Sequence, residues 1–269
     1  LICIGRNYSN HIAELQNEKP TEPVVFLKPD TAILLKKQPF FVPDFSKNVQ
    51  HEVEVLVKIN RVGKYIASEF AHKYYDQIGL GIDFTARDLQ QTLKQKGLPW
   101  EKAKAFDGSA VVGKWVSKRQ FENLNDISFR LKKNDTVVQS GNTKDMLWNI
   151  DAIISYVSRF FTLKIGDIIF TGTPSGVGPV QANDILSGYI NNEEFFNINC
   201  IYLSLKESNG VEYLINEIKN KAGLTDVTEN IFVAKERQLI ALENSLKLIG
   251  KASDQLSKDC ILELIAEDL

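Results

Sequence analysis

At 269 residues, 43% of them hydrophobic, the chain is long enough to bury a substantial core in one large domain or two. Its 32 basic and 34 acidic residues leave a net charge of −2, which excludes a broad nucleic-acid surface or an acidic tail and leaves charge to be read locally. Cys3, Cys200 and Cys260 are odd in number, far apart and without a C-x-x-C pair, which argues against a disulfide framework or zinc knuckle and for thiols in a reducing compartment.

Leu1 to Ile4 reads as a short strand, too short for a signal peptide. No apolar run reaches the ~20 residues of a membrane span, so a soluble, cytoplasmic protein is expected. An apolar start without methionine implies a few residues upstream. Gly5-Arg6-Asn7-Tyr8 turns into a segment holding His11 and Glu14, an i, i+3 pair that shares one face if the segment is helical. Pro20, Pro23 and Pro29 keep the next stretch out of helix around the short strand Val24 to Leu27, and Pro39 and Pro43 extend that character.

His51-Glu52-Val53-Glu54-Val55-Leu56-Val57 alternates with period two and predicts a strand with two opposite faces. Val53, Val55 and Val57 point into a core, while Glu52 and Glu54 stand two strand rises apart on the other face, roughly 7 Å. Two readings are open: a solvated face of an amphipathic strand, or carboxylates placed around a divalent cation. Hard oxygen ligands suit Mg²⁺, Mn²⁺ or Ca²⁺ better than zinc.

Further on, Ala67 to Tyr75 reads as a short helix and Ile78 to Asp83 as a buried strand ending on a carboxylate. Residues 84 to 98 have helical character and carry Arg87 and Gln90. Gly97-Leu98-Pro99-Trp100 breaks the chain, and Lys102 and Lys104 fall in a loop-like stretch. Phe129 to Lys132 and Thr136 to Gln139 suggest a hairpin. Asp151 is placed as the cap of a helix in which Ile153, Ile154, Val157, Phe160 and Phe161 recur at helical spacing. A strand from Ile168 to Thr171 runs into the glycine-rich stretch Gly172 to Pro179, whose backbone amides are expected to be open to an oxygen-rich ligand. The Gly-Lys-Ser/Thr ending of a Walker loop is missing there.

Composition changes near Tyr202. All 8 prolines lie at or before Pro179, Tyr213 and Phe232 are the only later aromatic residues, and residues 203–269 carry 8 basic and 12 acidic residues. Leu239, Leu242, Leu246 and Ile249, then Ile261, Leu262 and Ile265, recur at helical steps and predict an all-helical tail.

Six stretches in order resemble the fumarylacetoacetate hydrolase family along residues 1 to 202: Gly5-Arg6-Asn7-Tyr8, Phe26-Leu27-Lys28-Pro29, His51-Glu52-Val53-Glu54, Asp83 to Gln90, Gly97-Leu98-Pro99-Trp100 and Gly166 to Pro174. The likeness is greatest to its small-acylpyruvate branch of acylpyruvate hydrolases and oxaloacetate decarboxylases or tautomerases. The resemblance implies an α+β protein with a mixed β-sheet or β-roll catalytic domain over residues 1–202, to which the spacing of the tail adds an all-helical appendage over 203–269. It also implies Mg²⁺ or Mn²⁺ on Glu52, Glu54 and Asp83, with His11 as general base and Glu14 as its orienter. Lys104 would polarise a carbonyl oxygen, and Lys28, Arg87, Gln90 and Thr173 would hold the carboxylate or diketo end of the substrate. The implied reaction is metal-dependent carbon–carbon cleavage, decarboxylation or tautomerisation of a small 2-oxo acid through an enolate, by a homodimer without a membrane or nucleic-acid partner for the catalytic part.

By the same resemblance, one rival is a decarboxylase and isomerase of aromatic meta-cleavage products, and another is an inactive scaffold whose tail binds a tRNA-modification partner. His51 is expected to serve structure, Trp100 receives no role, and Phe106-Asp107-Gly108-Ser109, where the chain departs from animal members, is expected to set substrate choice. Ser204 to Glu212 and the run from Arg237 to Leu269 resemble the C-terminal helical part of wobble-uridine tRNA-modification GTPases. With no P-loop and no N-K-x-D, the chain gives no ground for GTP hydrolysis.

Overall fold

The structure is a computed structural model that describes residues 1–14, 18–202, 211–221, 243–249 and 251. The chain divides into two compact units, Leu1–Tyr202 and Leu203–Leu269. The strands of the first half are β1 (Ile2–Gly5), β2 (Val24–Leu27), β3 (Phe40–Phe41), β4 (Val49–His51), β5 (Val53–Ile59), β6 (Tyr75–Asp83), β7 (Thr85–Ala86) and β8 (Ala110–Ser117). They are followed by β9 (Ser128–Lys133), β10 (Thr136–Asn142), β11 (Ile168–Phe170), β12 (Gly178–Pro179), β13 (Ile185–Ile190) and β14 (Glu193–Ile201). The helices are α1 (Ser9–Glu14), α2 (Ser68–Ala71), α3 (Arg87–Gln95), α4 (Glu101–Lys104), α5 (Ile150–Ser158) and α6 (Val211–Lys221). The fold is mixed α+β.

Three sheets organise the first unit: a six-stranded sheet ordered β2-β1-β11-β5-β6-β8, a five-stranded sheet ordered β10-β9-β13-β14-β3, and a small one ordered β12-β4-β7. β5 lies inside the largest sheet, antiparallel to both β11 and β6. Its Val53, Val55 and Val57 are fully buried in the main core with Leu80, Ile82 and Ile153, each contributing about 1.5–3 kcal/mol of burial. Leu56 packs on the opposite side with Cys3, Ala110 and Phe170. The acidic face is therefore not a solvated one: Glu52 and Glu54 are both buried.

The expected single strand from His51 to Val57 is interrupted. Glu52 stands between β4, which pairs with β7 and β12, and β5, so the chain changes sheets at the first carboxylate of the pair. Asp83 N donates to Glu52 O at 2.8 Å, which ties the end of β6 to that crossing point.

Several local expectations are corrected. The helix expected from Ala67 to Tyr75 is only Ser68–Ala71, because Tyr75 already belongs to β6. Lys102 and Lys104 lie on the short helix α4, not in a loop. α5 is capped by Asn149, whose side chain accepts from Ala152 N, while Asp151 accepts from the Tyr75 hydroxyl. Phe160 and Phe161 follow that helix and are exposed.

In the second unit, α6 and residues 243–249 are helical, and Leu246 and Ile249 are exposed. The other tail residues on which helical spacing and the GTPase likeness were read, from Arg237 to Leu242 and from Ile261 onward, lie outside the described residues. No helix among the described residues is long and apolar enough to cross a membrane.

Candidate metal centre and active site

Three elements bring three carboxylates together. Glu52 comes from the sheet crossing, Glu54 from β5 and Asp83 from the last position of β6, and one oxygen of each lies within 4.8 Å of the others. All three are buried. Carboxylates this close cannot all stay ionised in a low-dielectric interior unless positive charge joins them.

The protein supplies part of that charge, unevenly. Lys104 Nζ donates to Glu52 Oε2 and to Asp83 Oδ2, both at 2.7 Å, and Arg87 donates to Glu52 Oε1. Lys28 Nζ lies 2.7 Å from Asp83 Oδ1. That contact is ionic rather than a formed hydrogen bond, since Asp83 Oδ1 has no partner of adequate geometry. Glu54 has no cation on it among the described residues and accepts from Gly172 N at 2.7 Å.

The carboxyl groups split accordingly. Burial would raise Glu52, but the charges of Lys104 and Arg87 carry it far below the ordinary carboxylate range. Burial, then the charges of Asp83 and Glu52, push Glu54 well above that range. Lys104 would be lowered by burial, yet Asp83 and Glu52 hold it above its ordinary value. The donor set fits a hard divalent cation. It is all oxygen and buried, with one atom left unbonded and one carboxylate left without a counter-charge.

His11 opens on the same cleft. It lies on α1, three residues before Glu14, and its Nδ1 is 3.2 Å from Glu14 Oε2. Glu14 is fixed from the far side by Gly176 N, which donates to its other oxygen at 3.0 Å. Burial lowers the His11 pKa against the opposing pull of Glu52 and Glu14, so the ring is neutral at neutral pH.

The glycine-rich stretch serves this arrangement in a way the sequence did not predict. Its amides at Gly172 and Gly176 are taken by Glu54 and Glu14, not left open for a ligand. Both glycines are required by geometry. Gly172 has φ 101° and a Cβ there would lie 2.7 Å from Asn7 Cβ, while at Gly176, with φ 95°, it would meet Val138 O at 2.4 Å. Thr173 is anchored by donating to Val53 O and accepting from Gln139 Nε2, both at 2.9 Å. Gln139 Oε1 in turn accepts from His51 Nδ1 and Val53 N, which makes His51 a structural residue.

On α3, Arg87 also bonds Gln90 Oε1 at 2.6 Å and Gln50 Oε1 at 2.8 Å. Lys28 is fully buried, donates to Ser109 O and Oγ, and does not line the cleft. None of Phe106 to Ser109 lines it either, contrary to the expectation that substrate choice lies there. Ser109 instead holds Lys28 behind Asp83. The structure adds Arg6, Phe26, Lys94 and Trp100 to the walls. Lys94 was legible as the residue i+7 from Arg87 and i+4 from Gln90 on one helix face. The cleft is open to solvent on one side rather than enclosed.

A cation site beside a neutral, carboxylate-held imidazole is the equipment of a metal-dependent hydrolase or lyase. Residues 1–200 match the family described as fumarylacetoacetate (FAA) hydrolase C-terminal, and the chain belongs to the fumarylacetoacetate hydrolase family. It is 43% identical over 184 residues to oxaloacetate tautomerase FAHD1, mitochondrial, of Bos taurus, covering 68% of this chain and 83% of that one. It is 40% identical over 188 residues to oxaloacetate tautomerase YcgM of Escherichia coli, covering 70% and 86%. The crystal structure of fumarylpyruvate hydrolase from Pseudomonas aeruginosa in complex with Mn²⁺ and pyruvate matches with a TM-score of 0.70 and 31% identity over 75% of this chain and 89% of that one.

Proposed function

We propose that this enzyme acts on a short 2-oxo acid, tautomerising or decarboxylating oxaloacetate or hydrolysing an acylpyruvate by way of an enolate, with Mg²⁺ or Mn²⁺ on Glu52, Glu54 and Asp83. The observation that carries the reading is that the buried carboxylate triad and the neutral His11 face one cleft. When bound, the divalent cation supplies a Lewis acid for the 2-oxo and carboxylate oxygens. His11 accepts a proton at Nε2, from substrate C3 in tautomerisation or from water in hydrolysis, while Glu14 holds Nδ1. Lys104, kept charged by its two carboxylates, reaches the carbonyl oxygen. Arg87, steadied by Gln90 and Gln50, presents its guanidinium to the substrate carboxylate, and Thr173 closes the opposite side.

The greater identity to the oxaloacetate tautomerases favours short acids over bulky aromatic meta-cleavage products. The intact triad and His11–Glu14 pair weigh against an inactive scaffold. A homodimer in a reducing, cytoplasmic compartment completes the reading, the compartment being supported by the free buried thiols of Cys3 and Cys200. The test is consumption of oxaloacetate and acetylpyruvate by the full chain with Mg²⁺, then with EDTA. Turnover that EDTA stops and Mg²⁺ or Mn²⁺ restores is expected. Turnover indifferent to EDTA would sink the metal-centred mechanism.

A further inference from the structure

One wall of the cleft holds more positive charge than its carboxylates use. Arg6, Arg87, Lys94 and Lys104 line it together with Glu52, Glu54 and Asp83. Arg87 and Lys104 are engaged by Glu52 and Asp83. The side chains of Arg6 and Lys94 have no ion pair or hydrogen bond among the described residues, and the Lys94 ammonium rests 5.4 Å from the centre of the Trp100 ring. Arg6 has φ 57°, a left-handed conformation disfavoured for any residue with a Cβ and here kept at the cleft edge.

We propose that Arg6 and Lys94 form a subsite for the second carboxylate of a dicarboxylic 2-oxo acid, so that the enzyme selects acids of the oxaloacetate type over acylpyruvates with a neutral tail. The inference rests on the metal-centred reading above, which places the first carboxylate and the 2-oxo oxygen at the triad. Charge argues for the doubly charged class. The lining cations outnumber the carboxylates before a divalent ion adds two further charges, and a second substrate carboxylate offsets more of that surplus than a methyl group does. The crowding registers on Lys94, which burial and then the charges of Arg6, Arg87 and Lys104 pull down to about 8. Geometry agrees, because Lys94 lies on the α3 face that carries Arg87 and Gln90, two turns beyond the first and one beyond the second. Phe26 and Trp100, with ring centroids 6.2 Å apart, add an apolar wall suited to the methylene between the two acid ends.

The test is calorimetric binding of two unreactive probes to the Mg²⁺-loaded full chain. Oxalate mimics only the 2-oxo acid end, and malate, whose 2-hydroxyl carbon cannot take up the electrons of C3–C4 or C3–H cleavage, carries both ends. Lys94→Met, which keeps the stem on Trp100, and Arg6→Gln should each weaken malate about tenfold while weakening oxalate less than about threefold. Lys94→Arg should restore most of the loss. Equal weakening of both probes, or no weakening of either, would overturn the subsite. Wild-type protein that binds neither probe would overturn the metal-centred reading itself, and the subsite with it. Circular dichroism of each variant separates a lost contact from a lost fold, and Lys94, half-buried on a helix face, tolerates replacement.

Discussion

Glu54 carries the least compensated charge of the centre, and its behaviour is the most direct probe of what the centre binds. Its carboxyl is pushed up by burial and by Asp83 and Glu52, so a divalent cation on this ligand competes with protons. Mg²⁺ binding is therefore expected to release a proton, and affinity should rise with pH. Calorimetry in buffers of different ionisation enthalpy measures the release, and a buffer-independent heat would contradict it. Glu54→Gln keeps an acceptor for Gly172 N while removing the charge. Mg²⁺ affinity should fall at least about 100-fold, yet the metal-free protein should gain about 1–2 kcal/mol at neutral pH, because a carboxyl disfavoured by burial beside two other carboxylates is gone. A large drop in the metal-free melting temperature would show instead that Glu54 stabilises the fold by its charge. His11 is expected to separate chemistry from metal binding. His11→Ala should lower kcat by about 10²–10⁴-fold and leave Mg²⁺ affinity nearly unchanged. Burial holds the imidazole below its ordinary 6.5, so its basic form persists through neutral pH and turnover should fall off only as pH drops below 6.5. An acid limb centred above 6.5 would assign the base to another group.

The elements that hold these residues explain why one change of backbone reaches two functional groups. The segment after β11 gives Gly172 N to Glu54 and Gly176 N to Glu14, so it orients a metal ligand and the histidine's partner together. Gly172→Ala forces a Cβ onto Asn7 at a φ of 101° and should destabilise the protein by about 1–3 kcal/mol while weakening Mg²⁺ binding. A variant with wild-type melting and affinity would show that the loop adapts and does not set the carboxylate. The period-two pattern around Val53, the acid closing β6 and the His11–Glu14 spacing were legible because strand and helix periods place those side chains on one face without help from the rest of the chain. The break at Glu52, the capture of the glycine-loop amides and the place of Arg6 were not. The first two depend on partners far away in sequence, Asp83 for Glu52 and Glu54 for Gly172, and the third on how the tertiary fold closes the cleft. The Asp151 cap failed for a related reason: two nearby polar residues compete for the first turn of α5, and Asn149 holds the cap while Asp151 turns to Tyr75.

For the molecule as a whole, every proposed site residue falls inside the first unit, between Arg6 and Thr173. That unit is closed by pairing of distant strands: β1 lies parallel to β11, with Ile2 against Ile169, and β14 ends by pairing Cys200 and Ile201 with β3. Its last pairing thus comes one residue before the boundary at Tyr202, and among the described residues no strand of its sheets is drawn from the second unit. Residues 1–202 alone should therefore fold and turn over oxaloacetate with the same EDTA sensitivity and a kcat within about twofold of the full chain. A shorter piece ending at Phe196 removes the buried Cys200 and Ile201 from the core along with the cover of β3, and should be strongly destabilised, since two buried apolar side chains are lost at about 1.5–3 kcal/mol each. Loss of activity in the 1–202 piece with its melting temperature preserved would mean that residues 203–269 supply something to catalysis. Loss of both would mean that they complete the fold.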